Sequence, residues 1–219
     1  MIRVQPEAVC ISTKNIFARL LCAAGIFVCA FVPSAFPAPA FTLLHYNVKG
    51  NGVSDFSTNT LQVKAIGRQV MYLQPDIVAF NEIPNGQAYQ MTNFVQAFLP
   101  GYYLVTNSIG DGFIRSVIIS RYPIVRSQSW LHGTSLTPFG WSANNFTRDL
   151  FEAQITVPGF PQPLHVFTTH LKCCGDATSA ARRAAEAGAI SNFFVTVYAT
   201  SNSLHPYTLS GDLNEAIIR

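Results

Sequence analysis

The sequence predicts a single α+β domain, and three observations support this fold class. The chain has 219 residues and a mass of 24.0 kDa, which is enough for one domain with a large apolar core. In the first half, short apolar runs that end at polar residues alternate with an amphipathic helical pattern. Between residues 148 and 170, two neighbouring segments alternate apolar and polar side chains, as the strands of a hairpin do. We therefore expect one folded domain over residues 41–219.

The first 40 residues have the pattern of a signal peptide. Lys14 and Arg19 precede an uninterrupted apolar run, Leu20–Val32, and small residues follow at Ala38–Ala40. The run has 13 residues, whereas a membrane-spanning helix needs about 20. We therefore expect a secreted or periplasmic protein, with an uncleaved membrane anchor as the less favoured alternative.

The net charge gives little indication of a partner. The whole chain has a formal charge of +3, and removal of the leader with its three basic residues and one acid reduces this charge to +1. Such a protein has no general attraction for a phosphate backbone, so any affinity for nucleic acid would depend on a local basic patch. The sequence predicts no protein partner.

The first half of the domain reads as a strand, a helix and a strand. Residues 41–48 are aromatic and aliphatic and predict a strand with Asn47 near its carboxyl end. A helix is predicted from about Thr60, because apolar residues recur at three- and four-residue spacings at Val63, Ile66, Val70 and Leu73. The apolar run 77–80 predicts a buried strand that leads to Glu82. The carboxyl ends of both strands then lie at one edge of a sheet, so Asn47 and Glu82 should be neighbours.

The second half is predicted to contain more strands than helices. The alternation from Arg148 and again from Leu164 predicts the hairpin, with His170 at the end of its second strand. Residues 127–146 are rich in Ser, Thr, Gly and Asn, which predicts a long irregular loop. The other predicted elements are helices over 88–99 and 177–197 and strands over 102–106, 115–120 and 207–209.

Polar side chains lie at or next to five of the predicted strand ends. They are Asn47, Glu82, Arg148, His170, Asp212 and Asn214. A carboxylate beside an amide suits Mg²⁺, a guanidinium suits a phosphate, and an imidazole suits proton transfer. An acid with an amide two residues later suits a water molecule that attacks phosphorus. Together these residue types predict hydrolysis of a phosphate ester.

The segment Gly211–Asn214 has two interpretations. Alternate side chains of an extended chain share a face, so Asp212 and Asn214 can point into one cleft. Gly, Asp and Asn are also the residues of ordinary turns. A turn is the better interpretation of this segment alone, and the other strand-end residues are what favour the catalytic one.

Five segments, in this order along the chain, carry a resemblance to a known family: His45–Val48, Pro75–Ile83, Ser116–Ile124, Thr169–Leu171 and Ser210–Asn214. They resemble the motifs of the endonuclease/exonuclease/phosphatase superfamily, which includes deoxyribonuclease-I-like nucleases, exonuclease-III-like repair enzymes, neutral sphingomyelinases and inositol phosphatases. Each segment is weakly specific, but together they span nearly the whole mature chain. The resemblance implies a four-layer α/β/β/α sandwich of two packed mixed sheets.

The resemblance also implies roles for the strand-end residues, and Arg148 matches its motif less firmly than the others. A metal ion, Mg²⁺ or alternatively Mn²⁺ or Ca²⁺, is implied as the cofactor. The predicted catalytic residues are His170, Asp212 and Asn214, the predicted phosphate-binding residues are Arg148 and Asn47, and the predicted metal ligands are Glu82 and Asn47.

One departure from the family pattern affects the predicted activity. Members of this family typically complete the site with a Ser-Asp-His element on a further strand, and no such element follows Asn214 in these 219 residues. His205 precedes Gly211 and so lies in the wrong order. We therefore expect a domain that is incomplete at its C-terminal end, with a catalytically inactive binding module as an alternative function.

The resemblance favours an exported, metal-dependent phosphodiesterase that acts on DNA or RNA. The near-neutral mature chain does not require a nucleic-acid substrate. A phospholipid esterase of the sphingomyelinase type, or an esterase for inositol or sugar phosphates, therefore remains as the alternative.

Overall fold

Two mixed sheets form the core of the computed structural model, which describes residues 2–4 and 40–215. The strands of the first sheet are β1 (Ile2–Val4), β2 (Phe41–Asn47), β3 (Ile77–Pro84), β4 (Tyr103–Thr106) and β5 (Ile114–Ser120). They lie in the order β1-β2-β3-β5-β4. β2 and β3 are parallel, and the other neighbouring pairs are antiparallel.

The second sheet has the order β6-β7-β8-β9 among the described residues. Its strands are β6 (Ile124–Trp130), β7 (Leu150–Ile155), β8 (Leu164–His170) and β9 (Tyr207–Asp212). β6, β7 and β8 are antiparallel neighbours, whereas β9 runs parallel to β8. The carboxyl ends of β8 and β9 therefore lie side by side, as those of β2 and β3 do in the first sheet.

Helices cover the outer face of each sheet. The helices are α1 (Leu61–Leu73), α2 (Gln90–Phe98), α3 (Ala177–Phe193) and α4 (Ala199–Asn202). α1 and α2 pack on the first sheet in one apolar cluster, and α3 packs on the second sheet in another. A third cluster lies between the sheets. These layers confirm the predicted α/β/β/α sandwich.

The elements follow from the patterns that predicted them. The Thr60 hydroxyl accepts a hydrogen bond from the Val63 N–H and caps α1, whose residues Val63, Ile66 and Val70 are buried against the sheet. In β7, Phe151 and Ala153 face the inter-sheet cluster, as the predicted alternation requires.

Two predictions about elements were wrong in detail. The irregular loop predicted over 127–146 contains the second half of β6, whose residues are largely polar because its outer side meets solvent. Gly211 was predicted at a turn, but it lies inside β9 and pairs with Thr169 of β8.

The predicted signal peptide falls mainly outside the described residues. Of its 40 residues, the structure describes Ile2–Val4, which pair with β2, and Ala40. Cleavage of the leader therefore stays a prediction, and it would make β2 an edge strand. Within the described part of the chain, each helix is too short or too polar to cross a membrane.

Candidate active site

The candidate active site lies where strands from both sheets end at the same edge of the sandwich. Asn47 is the last residue of β2, His170 is the last of β8 and Asp212 is the last of β9. Glu82 lies in β3, beside Asn47. The structure thus brings together four of the residues that the sequence predicts for the site.

Glu82, His170 and Asp212 form a cluster that could hold a metal ion. One donor atom from each residue lies within 4.8 Å of the others. His170 Nε2 is 3.8 Å from Glu82 Oε1 and 4.0 Å from Asp212 Oδ2. The two carboxylates suit Mg²⁺ or Mn²⁺, with water completing the coordination, whereas the imidazole suits a transition metal rather than Mg²⁺.

Asn47 links the two carboxylates of this cluster. Its side-chain amide donates one hydrogen bond of 2.9 Å to Glu82 Oε1 and another of 2.7 Å to Asp212 Oδ2. Its Oδ1 accepts a hydrogen bond of 2.9 Å from the backbone N–H of Lys49, which fixes the orientation of the amide. Asn47 therefore holds two acidic side chains close together, while its predicted role as a metal or phosphate ligand stays a prediction.

A bulge in β3 presents Glu82 to the cleft. The register between β3 and β5 shifts between Phe80 and Ile83, and Glu82 has a left-handed backbone with φ 61°. Its carbonyl oxygen accepts a hydrogen bond of 3.0 Å from the N–H of Gly50. A methyl group at Gly50 would clash with this carbonyl, so only glycine allows the loop after β2 to approach so closely.

Asn81 is a buried positioning residue that the sequence analysis did not assign to the site. Its Oδ1 accepts hydrogen bonds from the backbone N–H of Asp212 at 3.1 Å and from His45 Nε2 at 2.7 Å. Its Nδ2 donates to Ser116 Oγ at 3.1 Å and to Thr168 Oγ1 at 3.4 Å. One side chain thereby ties the first sheet to the end of β9. The only sequence signal was an amide at the end of an apolar strand.

The contacts of Asp212 and Asn214 agree with both interpretations of the segment Gly211–Asn214, a turn and a pair of side chains at the cleft. Asp212 Oδ1 accepts a hydrogen bond of 3.0 Å from the N–H of Asn214, which is the turn contact, while Oδ2 faces Asn47. The Asn214 amide donates to the carbonyl oxygen of Leu171 at 3.1 Å. Burial alone would raise the pKa of Asp212, but hydrogen bonds from Asn47 and Asn214 hold that pKa below its usual value.

His170 is neutral in this environment. Burial and the nearby Arg148 guanidinium lower the pKa of His170 to about 4, against the opposing effect of Asp212 and Glu82. The ring is only 5% exposed. At neutral pH, one of its two nitrogens therefore carries a hydrogen and the other carries a lone pair.

Arg148 lies at the site and is bound to other protein groups. Its Nε donates to Asp111 Oδ2 at 3.0 Å, and its Nη1 donates to the carbonyl oxygens of His170 and Leu171 at 3.0 and 2.7 Å. These contacts hold the loop that carries Asp111 against the end of β8. Contact of Arg148 with a phosphate stays a prediction.

Known proteins match this chain in structure rather than in sequence. No protein-family model matches it, and no curated protein matches it either. D. rerio TDP2, solved in complex with a single-strand DNA product, aligns with a TM-score of 0.58 at 17% identity, over 80% of this chain and 61% of that one.

Two further structures have similar scores. An endonuclease/exonuclease/phosphatase from Beutenbergia cavernae aligns with a TM-score of 0.56 at 19% identity, over 80% of this chain and 47% of that one. The mannosyl-6-phosphatase Bt3783 of Bacteroides thetaiotaomicron aligns with a TM-score of 0.57 at 22% identity, over 80% and 65%. This chain spans less than two thirds of the length of each of these structures. Through this architecture, the chain has the deoxyribonuclease-I-like fold that it shares with these structures.

Proposed function

We propose that this protein hydrolyses phosphodiester bonds with the help of a divalent metal ion. The observation that carries the proposal is the convergence of Glu82, His170 and Asp212, from three strands of two sheets, within 4.8 Å. Acidic groups usually repel one another, so their placement around one point suits a site that binds a cation. The fold is compatible with this chemistry but does not by itself specify it.

The proposed roles follow from the contacts of each side chain. The carboxylates of Glu82 and Asp212 would hold Mg²⁺ or Mn²⁺, with His170 as a further ligand where the ion is Mn²⁺. The bound ion would stabilise negative charge on a phosphate and lower the pKa of water. Asp212 stays ionised at neutral pH, because its pKa is lowered, so it can accept a hydrogen bond from the attacking water and orient it. Asn47 keeps the two carboxylates in place. His170, being neutral, can bind through a lone pair without adding positive charge.

Nucleic acid is the substrate class that we favour. The single-strand DNA product in D. rerio TDP2 supports a nucleic-acid substrate for a protein with this fold. A small phosphate ester is the alternative, since the similar Bacteroides protein is a mannosyl-6-phosphatase. Phospholipid is the remaining alternative, because the small net charge does not require nucleic acid.

A direct test measures product release by the purified protein. Single-stranded and duplex DNA, RNA, sphingomyelin, inositol phosphates and mannose 6-phosphate are compared with Mg²⁺, Mn²⁺, Ca²⁺ or EDTA. Glu82→Gln and Asp212→Asn should each reduce turnover by about 100-fold or more, because each removes a charge from the metal-binding cluster. Asp76→Asn is the matched control, because Asp76 lies at the opposite end of β3 and bonds to Thr42 and Tyr122.

The outcome distinguishes the candidate functions. Turnover that survives EDTA or both cluster variants contradicts the proposed site. Substrate binding without turnover by the wild-type protein would favour the inactive binding module that the sequence leaves open.

We also propose that the protein is exported. The apolar run Leu20–Val32 and the small residues Ala38–Ala40 support cleavage after Ala40. N-terminal sequencing of protein recovered outside the cytoplasm should begin near Phe41. A chain that keeps its first 40 residues after fractionation with membranes would instead indicate an anchor.

A further inference from the structure

Two buried polar atoms belong to residues that line one small cavity next to the proposed metal site. Asp149 Oδ2 and His170 Nδ1 are both buried, and neither has a hydrogen-bond partner among the described residues. The register of β7 and β8 ends at the pair Leu150 and Thr169, and continued by one residue it would place Asp149 opposite His170. Residues that oppose each other in an antiparallel pair point to the same face of a sheet, with their Cβ atoms about 5 Å apart.

The contacts of Asp149 specify which of its oxygens is available. The Asn107 amide donates to Asp149 Oδ1 at 2.9 Å and to the carbonyl oxygen of Ile109 at 2.6 Å. Asn107 Oδ1 accepts the backbone N–H of Ser116 at 3.0 Å, which fixes the orientation of its amide. Asn107 therefore holds Oδ1 as an acceptor and leaves Oδ2 for a different partner.

The small cavity that both residues line suits one water molecule. Asp149 and His170 both line a cavity of about 10 Å³, together with Asn107, Ser116 and Arg148. A buried water requires roughly this volume and two or more polar partners. Buried polar atoms are normally hydrogen-bonded, so a pair of such atoms beside a water-sized space indicates a bridging water.

We propose that Asp149 is a positioning residue for His170, whose Nδ1–H donates to one buried water that in turn donates to Asp149 Oδ2. The role in catalysis rests on the proposed function, but the hydrogen-bond arrangement does not. It places the hydrogen on Nδ1 and leaves the Nε2 lone pair facing Glu82 and Asp212. Metal-binding histidines are commonly fixed in this way through the nitrogen that does not bind the metal.

The opposite tautomer is the one expected without this bridge. His170 Nε2 faces two carboxylates at 3.8 and 4.0 Å, and these would attract a hydrogen on Nε2. A hydrogen there would point at the position of the cation. Asp149 thus opposes the natural preference of the ring.

Asp149→Asn gives a sharp test because Asn107 dictates how the new amide must lie. The Asn107 amide would still donate to Oδ1 of the new residue, so the new Nδ2 would occupy the position of Asp149 Oδ2. An amide there donates to the water instead of accepting from it. The water would then donate to His170 Nδ1 and place the hydrogen on Nε2.

The tautomer can be read directly from ¹⁵N-histidine NMR spectra of the metal-free protein at pH 7. The chain has five histidines, and His170→Gln identifies the His170 signals. Wild-type protein should show a pyrrole-type Nδ1 and a pyridine-type Nε2, and Asp149→Asn should reverse them. Glu152→Gln is the matched control, because it removes a buried acid three residues further along, in β7, that contacts His165 instead.

Ser129 is the competing partner for Asp149. Its hydroxyl lies diagonally across from Asp149 on β6, close enough for a hydrogen bond that lowers the pKa of Asp149 against the larger, raising effect of burial, although the contact falls outside strict hydrogen-bond geometry. If Ser129 rather than His170 used Asp149 Oδ2, Asp149→Asn would leave the His170 tautomer unchanged. Ser129→Ala should leave the wild-type tautomer in place if the proposal is correct.

Two results would overturn the proposal. One is a hydrogen on Nε2 in the wild-type protein or no change in Asp149→Asn. The other, which needs no variant, is a high-resolution crystal structure with no water within reach of both atoms. If the protein is a metal-dependent esterase, Asp149→Asn should also lower kcat by about 10- to 100-fold with little change in KM. A protein without any activity would contradict the proposed function and still leave the NMR result decisive for Asp149.

Discussion

At the scale of single residues, Asn47 shows how the site tolerates two neighbouring acids. The side chain has two amide hydrogens, and each is donated to a different carboxylate, of Glu82 and of Asp212. Aspartate has the same shape as asparagine but no amide hydrogens to donate. At position 47 it would place a third carboxylate against the other two and repel them.

Asn47→Asp should therefore destabilise the metal-free protein. We expect a decrease of about 1–3 kcal/mol in the free energy of unfolding, because two hydrogen bonds are lost and a like charge is added. Urea unfolding in EDTA and in Mg²⁺ would measure the change, and Mg²⁺ should recover part of the loss. Asn51→Asp, which places the same charge in an exposed loop, should have little effect. Equal losses in the two variants would contradict this interpretation of Asn47.

Asp149 should make the stability of the protein depend on pH. Burial raises the pKa of Asp149 from 3.8 to about 6, and the side chain is only 2% exposed. A raised pKa means that the folded state favours the protonated acid. The contribution of Asp149 to the free energy of unfolding is therefore fully present below about pH 4 and is lost as the pH rises through about 6. Asp149→Asn has no charge to bury at any pH.

We therefore expect Asp149→Asn to be more stable than the wild type by about 2–3 kcal/mol at pH 7, with a difference close to zero near pH 4. Urea unfolding of both proteins at several pH values between these limits is the measurement. If the free energies of unfolding of the two proteins differ by the same amount at every pH in this range, ionised Asp149 does not destabilise the folded state. A variant that is more stable but less active would be consistent with a residue retained for function.

At the scale of secondary structure, the pairing of β8 with β9 depends on Gly211. A methyl group at this position would overlap the carbonyl oxygen of Thr169, and the neighbouring atoms that it would meet are also backbone. Backbone atoms cannot move aside as a flexible side chain can. The glycine therefore allows β9 to lie close enough to β8 for Asp212 to reach the site, which is a different reason from the turn that the sequence suggested.

Gly211→Ala should displace the end of β9. We expect a loss of about 1–3 kcal/mol in stability, as for other overpacked positions, together with reduced turnover because Asp212 moves. Gly86→Ala is a suitable control, since a methyl group there meets no atom of the described chain within 4 Å. Thermal unfolding and initial rates of both variants would measure the expected losses of stability and of turnover. Wild-type rates in Gly211→Ala would show that the position of Asp212 does not depend on this close approach.

Elements with one buried face were predictable, whereas the edge strand β6 was not. The stripe of α1 and the alternation of β7 identify their buried faces directly, because burial selects apolar residues at a fixed period. β6 has neither pattern, since Arg126 and Ser127 are exposed at the rim of the second sheet. Its pairing with β7 is made by backbone hydrogen bonds, which do not require a particular type of side chain.

At the scale of the whole molecule, the candidate site joins the two sheets. Asn47 and Glu82 belong to the first sheet, and His170 and Asp212 belong to the second. Strand ends with polar residues were visible in the sequence, so these four residues could be predicted. Asn81 and Asp149 could not, because their importance depends on partners that only the packing of one sheet on the other brings near.

A metal ion held between the sheets should stabilise the whole fold. A ligand that binds only the folded state at 100 times its Kd adds about 2.7 kcal/mol to the free energy of unfolding. We expect the urea midpoint to rise with Mg²⁺ concentration, and the rise to be absent in Glu82→Gln and Asp212→Asn. Sodium chloride at matched ionic strength separates specific binding from screening. An equal rise in the variants would place the ion elsewhere.

The left-handed backbone of Glu82 has a further consequence, for how this sequence changes over time. Such a conformation costs about 1–3 kcal/mol in a residue other than glycine, and asparagine or glycine would adopt it more easily. Mutation under selection for folding alone would therefore tend to remove this acid early. A lineage that keeps glutamate at position 82 is one in which the carboxylate continues to be used.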